Sequence, residues 1–172
     1  TLKEFIAFDN SDFYIPGFKG IVQNQDLHGL EDIDMVMVSN KNFLTEANRL
    51  AAIHRDIDNL NVTVVTPQEI YNEFSSGSQD ITAIRNFMRM FYDRAGNTTD
   101  YPKYLLLFGD GSYDYKDKLA ENSNMVPCYE AYNSLAPTLS YVTDDYFGIL
   151  DSLEGAYSIG ALDVGIGRLP AR

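Results

Sequence analysis

Apolar positions along this chain recur with two different periods. DMVMVSN (34–40) is a short run rich in Met and Val that ends in turn residues, as a buried strand does. Over 45–60, Ala47, Leu50, Ala51, His54, Ile57 and Leu60 return at helical spacing, with Thr45 placed as an N-cap. NVTVVT (61–66) predicts a second strand, and Thr66-Pro67 opens a short helix through Glu69, Ile70 and Phe74, with proline in the first turn. SSGS (75–78) is a loop. From Asp80 onward, Ile81, Ile84, Phe87, Met88, Phe91 and Tyr92 mark one face of a longer helix closed by Gly96. KYLLLFGD (103–110) is a continuous apolar strand of the kind buried on both faces, and LDVGIG (162–167) reads the same way.

This alternation of strands and helices predicts an α/β fold with a mostly parallel sheet flanked by helices. In such sheets ligands gather beyond the carboxyl ends of the strands, so the loops after Asn40, Thr66, Gly109 and Gly167 are the first places to look. Gly165 and Gly167 resemble half of a dinucleotide fingerprint, but that pattern precedes a helix and Pro170 follows here. After Asp110 the chain becomes loop-rich and gathers Tyr, Pro and Asp.

At 172 residues the chain is one domain with room for a sizeable core, and 45% hydrophobic residues suit a globular protein. Opening on TLKEFIAFD and stopping at GRLPAR, it reads as an excised part of a longer protein. No apolar run approaches the roughly 18–20 residues of a membrane span, so no membrane-spanning segment is predicted. A net charge of −12 argues against a nucleic acid as partner, because that affinity comes from clustered Lys and Arg. An acidic surface suits solubility, divalent cations or basic substrates. The single cysteine, Cys128, rules out an internal disulfide framework.

DGSYDYKD (110–117) follows the best central strand, and the carboxylates of Asp110, Asp114 and Asp117 are candidates to converge on calcium, which takes several oxygen ligands. The plainer reading is a glycine turn with solvated acids. Cys128, between Pro127 and Tyr129, is nowhere near His28 or His54 in the sequence and reads as an inert thiol. YVTDDYFG (141–148) sets Asp144 and Asp145 side by side among aromatics: either a turn cap, or a carboxylate aimed at something positive.

DMVMVSN with the LAAIHR helix, VTVVTPQEIYNEFSSGSQDITAIRNFM, PKYLLLFGDGSYDYKD, VPCYE, YVTDDYFG and LDVGIGRLPAR together resemble the gingipain family of cysteine peptidases. The resemblance spans about 34–172, with residues 1–33 a loosely matched lead-in through DLHGL. It implies the first of two side-by-side α/β subdomains of a caspase-like catalytic unit, secreted or held at the cell surface, on the outer-membrane side of a bacterium. The base histidine and nucleophilic cysteine belong to the second subdomain, which is absent here and would be a partner within the same protein. By the same resemblance Asp144 falls where a carboxylate lines the substrate pocket of members that cleave after basic residues. A carboxylate there can accept two charge-assisted hydrogen bonds from an arginine. Glu130, in VPCYE, is a candidate for the acid that orients the histidine, and a solvated glutamate accounts for it equally well. Asp145 is then a turn residue or a calcium ligand, and the tentative metal set is Asp110, Asp114 and Asp145. No cofactor is required.

Two classes of function follow. One is the substrate-recognition half of a secreted cysteine endopeptidase acting on polypeptides, with removal of sorting domains from type IX secretion cargo as one branch. The other is a non-catalytic module whose acidic loops hold calcium or a basic peptide.

Overall fold

The structure is a computed structural model that describes residues 3–9, 11, 13–18, 20–133 and 135–172. Four strands form the main sheet: β1 (Met35–Ser39), β2 (Val62–Val65), β3 (Tyr104–Phe108) and the last, β6 (Gly165–Leu169). Their order is β2-β1-β3-β6 and every pairing is parallel, with Met35 opposite both Val62 and Tyr104, and Tyr104 opposite Gly165. Between β3 and β6 a small antiparallel pair, β4 (Tyr129–Glu130) and β5 (Val142–Thr143), sets Tyr129 opposite Thr143.

The strand alternation sorts the core. Val36, Val38, Leu105 and Leu107 point to the face covered by α2 (Pro67–Phe74) and α3 (Ile81–Arg94), where they meet Ile70, Ile84, Phe87 and Met88. Each such side chain, fully buried, contributes roughly 1.5–3 kcal/mol. Met35 and Met37 point the other way, onto Ala51 of α1 (Leu44–Ile57), with Leu106 partly buried beside them. Among the described residues it is α1 that covers this second face, lying over β1 and β2. Residues of β3 and β6 (Tyr104, Leu106, Gly165 and Gly167) therefore border an open groove of about 680 Å³, so β3 is buried on one face rather than on both.

Local chemistry explains most element ends. Thr66 and Glu69 form a reciprocal capping box at α2, an arrangement worth about 1 kcal/mol. Thr45 is not the cap of α1. A 3-10 turn, Lys41–Phe43, precedes the helix, and Asn40 caps it by accepting from the Asn42 backbone N–H. β6 starts later than the LDVGIG run, because Asp163 is held instead by the Leu150 N–H and the Gly148 carbonyl. The lead-in is fastened at Glu73, whose carboxylate accepts from Gln25, from the backbone of Leu27 and His28, and from the His28 ring.

Candidate functional site

The carboxyl end of β3 turns at Gly109, whose φ of +144° lies where L side chains are strained. A Cβ there would stand 3.0 Å from Met125 Cβ and 3.1 Å from Val126 Cγ2. This close approach lets the Met125 and Val126 N–H groups donate to the Asp110 carbonyl, while the Gly109 and Asp110 N–H groups donate to the Leu169 and Ala171 carbonyls. The loop after β3 is thereby laced to the end of β6. Tyr129 and Glu130 follow directly, and their pairing with β5 carries the two adjacent aspartates to the same end of the sheet.

Asp144 does not cap the 3-10 turn Asp145–Gly148 that it precedes; Thr143 Oγ1 accepts from the Asp145 N–H instead. The Asp144 carboxylate faces Arg168 on β6. Arg168 Nε donates to Oδ2 at 2.8 Å and an Arg168 terminal nitrogen donates to Oδ1 at 2.7 Å, a bidentate pair with the two side chains 22% and 14% exposed. The remaining Arg168 N–H groups donate to the Gly109, Val126 and Pro127 carbonyls at 2.9, 2.7 and 3.1 Å. All five guanidinium donors are thus used. The resulting clamp joins four segments and borders a recess of about 180 Å³ lined by Asp110, Gly111, Cys128, Val142, Thr143, Asp144 and Arg168.

Glu130 and Cys128 border a second recess of about 240 Å³, with Asp80 and Tyr115. Burial, and then the charge of Asp114, push the Glu130 carboxyl up from the ordinary glutamate value. Burial also pushes the Cys128 thiol up; Arg168 opposes this, while Asp144 and Glu130 add to it. Its sulfur lies 4.0 Å from the Ser112 carbonyl. The two histidines are engaged elsewhere, His28 with Glu73 and His54 with Asp58, each at 2.6 Å.

The structure does not bring the tentative calcium ligands together. Asp110 accepts from Ser123 and Arg172, which hold its carboxyl below the usual aspartate value. Asp114 is consumed by the Lys118 and Leu119 backbone N–H groups, folding the 114–119 turn around itself. Asp145 is exposed beside the Asp144 recess. Among the described residues, no group of three or more His, Cys, Asp or Glu side chains stands ready for a metal.

Two residues that matter here were not singled out from the sequence. Arg168 sat unremarked inside GRLP. Arg85 lies on the buried face of α3, 8% exposed, donating to the Ile149 and Glu154 carbonyls at 2.7 and 3.0 Å. Its guanidinium carbon is 5.6 Å from the Tyr146 ring centre, and Tyr146 stacks on Tyr129 at 4.8 Å, so α3 braces the turn that carries the aspartates. The signal was present: each arginine occupies a position whose neighbours in the pattern are apolar.

The family model of peptidase family C25 matches residues 28–172. The chain belongs to this family. Among solved structures, it is similar to dimeric latent PorU from Porphyromonas gingivalis, with 39% sequence identity and a TM-score of 0.78. That match covers 94% of this chain and 16% of the PorU chain, so the present sequence spans a small part of that protein's length. No curated protein matches the sequence. Family membership agrees with the motifs that resemble the gingipains, and the parallel α/β sheet agrees with the architecture read from the alternating pattern. No described helix is long and apolar enough to cross a membrane.

Proposed function

We propose that this chain is the substrate-facing, first α/β subdomain of a cysteine endopeptidase that is secreted or displayed at the cell surface, its Cys/His dyad supplied by residues outside these 172. The observation that carries this reading is a mismatch. The C25 match runs through residue 172, yet the one cysteine is a half-buried thiol with a raised pKa, and both histidines are already paired with acids, His28 with Glu73 and His54 with Asp58 at the end of its own helix. A nucleophile needs a lowered pKa or an adjacent base, and Cys128 has neither.

In this reading the dyad thiolate attacks the scissile carbonyl and the histidine moves the proton. The recess at Asp144 receives the side chain on the acyl side of the scissile bond. Glu130, partly desolvated at the edge of the neighbouring recess that shares Cys128, is the acid that holds the imidazole in the correct tautomer. Polypeptide is the substrate class, which membership of a peptidase family supports, and processing of secreted cargo is the setting proposed here.

Peptide hydrolysis by the complete protein, with and without a thiol alkylator, tests the proposal. Alkylator-sensitive cleavage that survives Cys128→Ser supports it. A folded complete protein that cleaves nothing favours the binding-module alternative.

A further inference from the structure

On the peptidase reading above, we propose that the Asp144 recess accepts uncharged side chains and disfavours arginine and lysine, because arginines of the same chain already match its carboxylates. Two acids line the recess. Asp144 is held fork to fork by Arg168, and Asp110 Oδ2 accepts from Arg172 at 2.6 Å. Both arginines come from β6 and the segment directly after it, so each of the two carboxylates lining the recess already has a guanidinium partner.

The two pairs differ in how readily they part. Arg172 is 76% exposed and can swing into water. Arg168 cannot: its five N–H groups are divided between Asp144 and three backbone carbonyls, and its side chain is 14% exposed. An incoming guanidinium would have to strip Arg168 of its counter-ion or stand beside it as a like charge. Leaving a desolvated charge without its partner is strongly unfavourable. Lysine meets the same obstacle with a single point charge and gains less.

The test is cleavage of a peptide series by the complete peptidase, identical except for Gly, Ala, Ser, Arg or Lys on the acyl side of the scissile bond. We expect kcat/KM for the uncharged residues to exceed that for Arg and Lys by at least about tenfold, the scale on which a pocket rejects a poorly fitting side chain. A preference for Arg or Lys of similar size overturns this inference and leaves the peptidase reading standing. Absence of thiol-dependent cleavage for every peptide overturns the peptidase reading and this inference with it. A second arm uses Arg168→Met, which frees the Asp144 carboxylate. Relative cleavage after Arg should then rise at least about tenfold, and an unchanged ranking in a folded variant overturns the inference. Should that variant fail to fold, the wild-type series decides alone.

Discussion

Arg168 and Asp144, 24 positions apart in the chain, meet fork to fork with hydrogen bonds of 2.8 and 2.7 Å at the carboxyl end of the sheet. The pair joins β6 to the turn after β5, and the remaining donors of Arg168 reach back to the end of β3 and to Val126 and Pro127.

Removing one member should therefore cost more than a surface ion pair would. Asp144→Ala leaves Arg168 with three carbonyls and no counter-ion in a largely buried position, an arrangement that costs about 3 kcal/mol. Chemical denaturation should show a midpoint lowered accordingly. A loss within about 0.5 kcal/mol, the range of ordinary surface substitutions, would mean that solvent reaches the pair freely.

Gly109→Ala tests the turn that brings these segments together. With φ at +144° and Met125 Cβ at 3.0 Å, an alanine pays both backbone strain and a clash. The expected loss is about 1–3 kcal/mol. It should be accompanied by weaker hydrogen-exchange protection of the Met125 and Val126 amides, which donate to Asp110.

Glu73 makes the attachment of the lead-in pH-dependent. Burial raises its pKa, but the hydrogen bonds from Gln25, Leu27 and His28 outweigh it and bring the carboxyl down to about 2 from an ordinary 4.5. A depressed folded pKa gives stability that is present above the unfolded value and lost as pH falls through the folded one. Glu73→Gln should therefore destabilise by about 1–2 kcal/mol at neutral pH. The difference from wild type should shrink as pH falls from 4.5 toward 2. A pH-independent difference would assign the effect to packing alone.

Cys128 should alkylate more slowly than a free thiol at neutral pH, since burial raises its pKa and leaves less thiolate. Iodoacetamide labelling followed by mass spectrometry reads this directly. Faster labelling than free cysteine would contradict the inert assignment.

Much of the fold was legible because burial imposes periodicity. The spacing of Ile84, Phe87, Met88 and Phe91 follows from one face of α3 lying on the sheet, and all four are buried. MVMV and VTVV show their strand character because both faces of β1 and part of β2 are covered. α1 was less readable at its ends. Ile57 lies 77% exposed despite matching the pattern, at the last turn of α1. Its start depended on Asn40 and a 3-10 turn, a short-range hydrogen-bond choice that apolar spacing does not report.

The candidate site divides along a similar line. Sequence by itself determined which residues sit at the carboxyl ends of the strands, since connection order and strand polarity place the DGSYDYKD and YVTDDYFG loops there. It also marked out the family, through motifs long enough to be specific. Only the tertiary structure decided what the charges do. Asp110 and Asp114 turned to Arg172 and to local backbone N–H groups rather than to each other, and Asp144 turned to Arg168. The reason is physical. Hydrophobic burial depends on local period and can be read along a chain. A partly buried charge takes whichever donor the packed segments deliver within about 3 Å, and Arg168 reaches Asp144 only because β6 pairs beside β3.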